Sequence, residues 1–293
     1  MTTVAFIGLG AMGAPMAWNL HAAGLGLRVH NRARARAHPF AERGVPVFDS
    51  PAQAARGADF VVSIVSDDEA TRAVMLGPEG VLAGAREGTV IVDSSTNTPA
   101  MAREAAAAAS ARGCAYLDAP VSGSVAQAKG RELVFMVGGE PQACERARPL
   151  FEAMGRMHRH MGASGAGATV KLINNMLSGT MNAAVAEAMM VVEAAGLDRG
   201  AAQEILNEGA AGSRLTRTKM PKILGRDFAP QFQLALMEKD LRYFLSLAQA
   251  LDLPVPVASA VRTQFQAARR ADLGSLDASA IFLHLAGEKP RPR

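Results

Sequence analysis

Four polar side chains, Lys171, Asn175, Ser178 and Asn182, follow one another at intervals of four, three and four residues. In an α-helix this spacing places them along one face. The residues expected to surround the lysine are apolar: Val170, Leu172, Ile173, Met176 and Leu177. Because burial lowers the pKa of a lysine, Lys171 could act as a general acid or base while Asn175 orients a carbonyl group. From periodicity alone, an ordinary surface lysine with polar neighbours fits equally well.

A second candidate site is the segment 118–124, which reads DAPVSGS and follows a short apolar run. In open α/β sheets, ligands bind at loops that follow the carboxyl ends of strands. Successive backbone N–H groups at Ser122, Gly123 and Ser124 could form a concave site for a carboxylate. The alternative is a plain turn of small residues.

A glycine-rich turn lies between the apolar run 4–7 and a stretch with helical apolar spacing. In such a strand–turn–helix unit, Gly8 permits the tight turn, Gly10 lets the backbone approach a pyrophosphate, and Gly13 lets the helix pack close to the strand. The helix N-terminus then presents free N–H groups to the phosphates. The pattern predicts a dinucleotide site made by Gly8, Leu9, Gly10, Ala11, Met12 and Gly13.

The choice between NAD and NADP depends on the residue that ends the second strand, where an acid would bind the ribose 2′-hydroxyl. This chain has Asn31 and Arg32 there, with Arg34 and Arg36 nearby. Asn31 can donate a hydrogen bond without repelling a phosphate, and Arg32 can pair with a phosphate or stack on adenine. We expect NADP to be preferred, although part of this basic turn can simply be solvated.

The elements that must position these residues alternate in the first half of the chain. Apolar runs predict strands at 4–7, 27–30, 60–65, 89–93, 115–118 and 133–137. Helical spacing predicts helices at 14–23 and 100–112, the second capped by Thr98 and ended by Gly113. Such alternation predicts a mostly parallel sheet with helices on both faces.

The second half of the chain shows only helical periodicity. A glycine-rich joint at 162–167 precedes a helix predicted over 168–195, which Gly196 ends. The fold class is therefore predicted as an α/β Rossmann-type dinucleotide-binding domain followed by an all-α domain, joined by a long helix. We predict an NADP-binding domain at 1–163 and a helical domain for substrate binding and dimerisation at 164–293.

Composition narrows the classes of function. The chain has 293 residues, 49% of them apolar, and a net charge of +4, so a large core is expected and global disorder is not. The mild basic excess fits a solvated surface, and we expect no nucleic-acid partner. Glycines and a proline interrupt the apolar segment 4–27, and no basic segment precedes it, so neither a membrane span nor a signal peptide is expected.

Cysteine and histidine usage points to no disulfide framework and no metal. Cys114 and Cys144 are the two cysteines, and neither belongs to a CxxC motif. His158 and His160 alternate as on a strand edge, and no third ligand is in view. A reducing, cytoplasmic compartment is expected.

Five motifs in this order make the chain resemble the β-hydroxyacid dehydrogenase family, which includes 3-hydroxyisobutyrate dehydrogenase, tartronate semialdehyde reductase and glyoxylate/succinic semialdehyde reductase. The family is related to 6-phosphogluconate dehydrogenase. The resemblance covers nearly the whole chain. The motifs are FIGLGAMGAPMAWNL at 6–20, DSST at 93–96, DAPVSGS at 118–124, GATVKLINNM at 167–176 and MEKDL at 237–241.

The resemblance implies a role for each matching residue. It implies that Lys171 transfers the proton beside Asn175, and that Ser122, Gly123 and Ser124 bind the substrate carboxylate. It further implies substrate contacts from Phe232 and Asp240. The implied cofactor contacts beyond the glycine turn and Asn31–Arg32 are Val65, Ser66, Thr96 and Lys239.

The implied activity is NADPH-dependent reduction of small carboxylated aldehydes such as glyoxylate, succinic semialdehyde or tartronate semialdehyde. Many members have SGG where this chain has Ser122-Gly123-Ser124, which is similar to the glyoxylate/succinic semialdehyde branch. The alternatives are an NAD-dependent 3-hydroxyisobutyrate dehydrogenase and, in another class, a non-catalytic NADP-binding module. The family also implies a homodimer or homotetramer.

Overall fold

The structure, a computed structural model, describes residues 2–289. The chain divides into two compact units, Met1–Lys171 and Leu172–Arg293. The domain boundaries predicted from the sequence stay a prediction. The predicted fold class is confirmed, because a mostly parallel sheet with flanking helices is followed by a helical unit.

The sheet of the first unit has the strand order β2-β1-β3-β4-β5-β7-β6, with β8 also paired to β7. Strands β1 to β5 are parallel, whereas β7 runs antiparallel to β5 and β6. The strands are β1 Thr3–Ile7, β2 Gly26–His30, β3 Phe60–Ser63, β4 Val90–Asp93, β5 Ala115–Asp118, β6 Val121–Ser122, β7 Leu133–Gly138 and β8 Gly155–Gly162.

The helices before the long one belong to the first unit. They are α1 Gly13–Ala22, α2 His38–Ala41, α3 Pro51–Ala55, α4 Asp68–Leu76, α5 Val81–Gly84, α6 Pro99–Ser110, α7 Val125–Lys129 and α8 Pro141–Met154. Alternate residues of β1 pack on opposite faces of the sheet. Val4 and Phe6 join the core that includes α1 and α8, while Ala5 and Ile7 join the core that includes α3 and α6. This alternation follows from the two-residue period of a strand.

The later helices are α9 Ala166–Ala194, α10 Arg199–Glu208, α11 Arg214–Leu224, α12 Leu234–Ala250, α13 Pro256–Ala268 and α14 Ile281–Leu285. The core of the second unit centres on fully buried Phe265, Ile281 and Phe282. Within the described residues, no helix is both long and apolar enough to cross a membrane.

The predicted strands and the two predicted helices of the first half are confirmed, with small shifts in their ends. The third strand ends at Ser63, because the Val65 N–H donates to the Ser95 hydroxyl, 2.9 Å away, instead of to a neighbouring strand. The Thr98 cap of α6 is confirmed, since its hydroxyl accepts from the Met101 N–H at 3.1 Å. The strand edge expected at 158–160 is the exposed β8.

The ends of the five parallel strands are aligned by their pairing. Ile7 lies opposite both His30 and Ser63, Ser63 lies opposite Asp93, and Asp93 lies opposite Asp118. The loops that follow these residues therefore leave the sheet at one edge, and the strand order reverses at β1. This is the edge at which open α/β sheets bind ligands.

Candidate active site

The glycine turn after β1 combines a positive φ with close backbone packing and an open face. Gly8 has φ +98°, and a Cβ on Gly13 would lie 2.8 Å from the Ile64 Cγ2 atom. A Cβ on Gly10 would meet nothing closer than the Arg36 Nη1 atom at 3.6 Å. Among the described residues, Met12 gives α1 no side-chain cap, and the first turn of the helix holds no acid. The turn therefore fits an anionic cofactor group.

The predicted NADP-selecting residues lie beside this turn. The Asn31 Oδ1 atom accepts from the Leu9 N–H at 2.8 Å, and its Nδ2 atom donates to the Ala33 carbonyl at 2.8 Å. Arg32 is exposed, whereas Arg34 pairs with Asp49. In these contacts the Asn31 amide braces the turn.

Two further loops at this edge carry the other predicted cofactor contacts of the first unit. Val65 and Ser66 follow β3, and the half-buried Thr96 follows β4. The Ser66 hydroxyl donates to Asp67 at 2.9 Å. The buried carboxylate of Asp93, which the sequence reasoning did not select, lies beneath these loops.

The predicted carboxylate loop after β5 is partly occupied by its own chain. The Ser124 N–H and hydroxyl donate to the Gln127 Oε1 atom at 2.9 and 2.5 Å, which caps α7. Gly123 is exposed with φ +142°, and Ser122 is half-buried. A substrate that used the Ser124 donors would have to displace Gln127.

Asp118, the last residue of β5, is hydrogen-bonded to the start of α9. Its Oδ1 and Oδ2 atoms accept from the N–H groups of Gly165 and Ala168, both at 2.8 Å. Burial raises the pKa of Asp118, and these two hydrogen bonds offset only part of that effect. Asp118 thereby caps the helix on which Lys171 lies in the second turn. Asp118 belongs to the DAPVSGS motif, but no role for it is predicted from the sequence.

Lys171 and Asn175 lie one turn apart on α9, at 8% and 5% exposure. Asn182, two turns further along the same helix face, is buried as well. Its side-chain amide donates to the Ser178 carbonyl at 2.8 Å. The prediction that apolar residues surround Lys171 is wrong for two of the five named residues. Ile173 and Leu177 are 42% and 54% exposed, because they project from another side of the helix.

In the second unit, α12 supplies a carboxylate to Asn175. The Asn175 Nδ2 atom donates to the Asp240 Oδ2 atom at 2.6 Å, and the Asp240 Oδ1 atom lies 3.1 Å from the Lys239 ammonium. Asp240 is 1% exposed, so the Lys239–Asp240 sequence is not an exposed charge pair. These contacts orient the Asn175 amide. A direct substrate contact from Asp240 remains a prediction.

The half-buried Phe232 lies in the segment before α12 and is held by a second buried carboxylate. Its N–H donates to the Asp277 Oδ2 atom at 3.2 Å, and the Lys219 ammonium lies 2.7 Å from the Oδ1 atom. Burial raises the pKa of Asp277, but Lys219 and several hydrogen bonds together outweigh burial and hold that pKa below the ordinary value of an aspartate. No local sequence signal marks Asp277. Within the described residues there is no cluster of ligands suited to a metal ion.

Comparison with known proteins covers both units. A family model described as the NAD binding domain of 6-phosphogluconate dehydrogenase matches residues 3–165. A second, described as NAD-binding of NADP-dependent 3-hydroxyisobutyrate dehydrogenase, matches residues 165–285.

The similar proteins named here are dehydrogenases and reductases, and the similarity extends over nearly their full length. The chain is 36% identical to 3-sulfolactaldehyde reductase from Escherichia coli, over 96% of this chain and 95% of the relative. It is 39% identical to NAD-dependent L-serine dehydrogenase from Pseudomonas aeruginosa, over 88% of this chain and 89% of the relative. A solved structure of Mycobacterium tuberculosis 3-hydroxyisobutyrate dehydrogenase with L-serine has a TM-score of 0.88 and 37% identity, covering 97% of this chain and 99% of that one.

Proposed function

The chain belongs to the β-hydroxyacid dehydrogenase family of NAD(P)-dependent oxidoreductases that act on CH–OH groups, and we propose that it is an NADPH-dependent reductase of small carboxylated aldehydes. The observation that carries the reaction is the buried pair of Lys171 and Asn175 on one helix face, with the Asn175 amide fixed by Asp240. A lysine and an oriented amide are the groups that a carbonyl oxygen requires as it gains negative charge.

In the proposed reaction the Lys171 ammonium donates its proton to the carbonyl oxygen and is reprotonated from solvent. The Asn175 amide has a second N–H besides the one given to Asp240, and we assign that N–H to the same oxygen. Burial of both residues makes such donors more effective than they would be in water.

The cofactor would be held by the glycine turn, by Asn31 and Arg32, by Val65, Ser66 and Thr96, and by Lys239. When bound, its reduced nicotinamide supplies the hydride that the carbonyl carbon receives. The uncapped N-terminus of α1 and the open space over Gly10 support the placement of the pyrophosphate.

The proposed preference for NADPH rests on the basic turn. Arg32 is exposed where an acid would favour NADH, and the Arg36 guanidinium reaches toward Gly10. Arg34 is the residue of this turn that Asp49 already neutralises. Two positive charges thus remain for a ribose 2′-phosphate.

An anionic substrate is supported by the names of the relatives and by the loop at Ser122, Gly123 and Ser124, in which Gly123 is exposed and the Ser124 donors would exchange Gln127 for the substrate. L-serine and 3-hydroxyisobutyrate carry a carboxylate, and 3-sulfolactaldehyde carries a sulfonate. We propose that glyoxylate, succinic semialdehyde and tartronate semialdehyde belong to the accepted class, with Phe232 lining the pocket.

A second candidate is NAD-dependent oxidation of 3-hydroxyisobutyrate. It is favoured by the enzyme of that name from Pseudomonas aeruginosa, which is 37% identical over 93% of this chain. The same Lys171 would then accept a proton from the substrate hydroxyl.

Compartment and assembly are further proposals. The two cysteines are buried and free, which fits a reducing cytoplasm. Ile173, Leu177 and Val191 on α9 are exposed apolar side chains, which supports a homodimer or homotetramer. Light scattering during gel filtration measures this state directly.

The deciding experiment compares kcat/KM for succinic semialdehyde and butanal with NADPH and with NADH. Binding energy from a remote carboxylate orients the reacting carbon, so the neutral aldehyde is expected to lose rate as well as affinity. Comparable values for the two aldehydes would contradict the carboxylate site. Faster oxidation of 3-hydroxyisobutyrate with NAD than any reduction with NADPH would favour the second candidate.

A further inference from the structure

Two neighbouring loops carry Val65, Ser66 and Thr96, which are the predicted cofactor contacts of the first unit beyond the glycine turn and Asn31–Arg32. One loop follows β3 and the other follows β4, and the last residues of these strands, Ser63 and Asp93, are paired in register. A buried network of hydrogen bonds holds the two loops against each other, and none of the side chains that form it has a role in the proposed reaction.

The centre of this network is the Asp93 carboxylate, which is 1% exposed. Its Oδ1 atom accepts from the Ser63 hydroxyl at 2.8 Å, and from the Ser95 N–H and hydroxyl at 3.1 and 2.6 Å. Its Oδ2 atom accepts from Asn97 Nδ2 and from the Tyr116 hydroxyl, both at 2.8 Å. A buried carboxylate with this many donors fixes the groups that donate to it.

The Ser95 hydroxyl links Asp93 to the neighbouring loop. A hydroxyl has one hydrogen, and that hydrogen points to Asp93. The remaining lone pairs of the Ser95 oxygen accept from the Val65 N–H at 2.9 Å. Asp93, Ser95 and Val65 therefore form a relay that crosses from one loop to the other.

The outer parts of the same loops are joined by a second set of bonds. Asp68 accepts from the Thr98 N–H at 2.8 Å and from its hydroxyl at 2.6 Å. The Thr71 hydroxyl donates to Asn97 at 3.1 Å. Because these bonds secure the outer ends, loss of the Ser95 hydroxyl is expected to release the region around Val65 without unfolding the loops.

We propose that Ser95, oriented by Asp93, is a positioning residue that fixes the Val65 loop for cofactor binding. This inference rests on the proposed contacts of Val65, Ser66 and Thr96 with the cofactor. Ser95 and Asp93 act through the backbone of these loops and need not touch the cofactor themselves.

The test compares Ser95→Ala with the matched control Tyr116→Phe. Each change removes one buried hydroxyl that donates to Asp93, but only Ser95 also accepts from Val65. Fluorescence titration of the full-length protein gives Kd for NADPH and for NADH, and thermal unfolding gives Tm. Ser95→Ala is expected to raise both Kd values about tenfold, as for loss of a positioned hydrogen bond. Tyr116→Phe is expected to lower Tm to a similar extent while both Kd values stay within about twofold.

Equal changes of Kd in the two variants, or an unchanged Kd in Ser95→Ala, would overturn the inference. If Ser95→Ala does not fold, Ser95→Cys provides the same comparison, because a thiol fills the space but is a weak donor and acceptor. The ratio of Kd for NADPH to Kd for NADH should not move, since Arg32 is untouched. An unmodified protein that binds NADH more tightly would refute the proposed NADPH preference, and Ser95→Ala against Tyr116→Phe would still decide this inference.

Discussion

The two units hold their buried carboxylates in different ways. In the first unit, Asp93 and Asp118 accept hydrogen bonds from hydroxyl, amide and backbone N–H groups. In the second, Asp277 lies 2.7 Å from the Lys219 ammonium, and Asp240 lies 3.1 Å from that of Lys239. The first unit thus stabilises these two carboxylates with hydrogen-bond dipoles, whereas the second adds an ammonium group to such dipoles.

The pKa values of Asp118 and Asp277 also differ between the two units. The pKa of Asp118 is raised by burial, because backbone N–H groups offset burial only in part. For Asp277, burial acts in the same direction, but Lys219 and several hydrogen bonds together outweigh it, and the pKa is lowered. Backbone N–H groups, which offset burial only in part at Asp118, are also the groups that the glycine turn is proposed to offer to the cofactor phosphates.

The largest expected effect is on the reaction rate and concerns Lys171. This lysine is proposed to transfer a proton, whereas Lys219 and Lys239 pair with buried carboxylates. Lys171→Ala should lower kcat by a factor on the order of 10²–10⁴, since it removes a positioned general acid. Kd for NADPH and Tm should change little. Steady-state rates with succinic semialdehyde, together with NADPH titration, measure both. Lys129→Ala, at an exposed position on α7, is the control and should keep full activity.

Activity close to that of the unmodified protein, or loss of NADPH binding, would show that Lys171 is not the proton donor.

The second effect falls on stability and tests the ion pair. Lys219→Met leaves the Asp277 carboxylate buried without its ammonium, which should cost about 3–5 kcal/mol in the free energy of unfolding. Urea unfolding at pH 7 measures this cost. Adding Asp277→Asn should recover part of the loss, because the uncompensated charge is then gone. No recovery would mean that the lysine contributes through packing.

The pH dependence of the same variant sharpens the comparison. The pKa of Asp277 is lower in the folded protein than the ordinary value of an aspartate, so its ionisation stabilises the folded state above that ordinary value. This contribution is lost as the pH falls through the folded pKa. In Lys219→Met, burial without the ammonium should raise the pKa of Asp277 above its ordinary value. The stability gap between the unmodified protein and Lys219→Met should therefore be largest at neutral pH, and should shrink as the pH falls from the raised pKa of the variant to the lowered pKa of the unmodified protein. A gap independent of pH would exclude this ion pair as its source.

The difference between the units also explains what could be predicted from the sequence. In the first unit, the six predicted strands, the glycine turn and the Thr98 cap depend on neighbouring residues, and their positions were predicted to within two residues. The short β6 at Val121–Ser122 and the full extent of β8 at Gly155–Gly162 were not predicted. The partners of Asp93 are less local, since Tyr116 comes from another strand. A motif can place an aspartate at a strand end, but it cannot show which donors the sheet brings to it.

In the second unit, periodicity predicted helices but not their pairing. Lys219 and Asp277 are 58 residues apart in sequence, and Asn175 and Asp240 are 65 apart. No spacing rule joins such pairs, because they depend on how the helices pack. Helical spacing singled out Asn175, and the resemblance supported it and added Asp240. Their hydrogen bond and the Gln127 cap on Ser124 became visible only in three dimensions.

The third effect concerns the basic turn, where the first unit offers full charges instead of dipoles. Arg32→Asp should weaken NADPH binding about ten- to hundred-fold, because a charge-assisted contact with the 2′-phosphate is lost and a repulsion is added. NADH binding should be spared. Titration with both cofactors measures the ratio, and Arg34→Asp is the control, since Arg34 pairs with Asp49. Equal losses for the two cofactors would contradict a phosphate contact at Arg32.

The smallest effect tests whether the glycine turn binds through its backbone alone. A Cβ on Gly10 has room in the protein, because the nearest atom is the Arg36 Nη1 atom at 3.6 Å. Gly10→Ala should therefore leave Tm unchanged, yet raise Kd for both NADPH and NADH about tenfold by blocking the close approach of the pyrophosphate. Gly13→Ala is the matched contrast, since its Cβ would collide with the Gly8 carbonyl and approach Ile64 Cγ2 to 2.8 Å, and it should lower Tm. If Gly10→Ala binds both cofactors as tightly as the unmodified protein, the pyrophosphate does not lie against this turn, and the dipoles that distinguish the first unit serve the fold rather than the ligand.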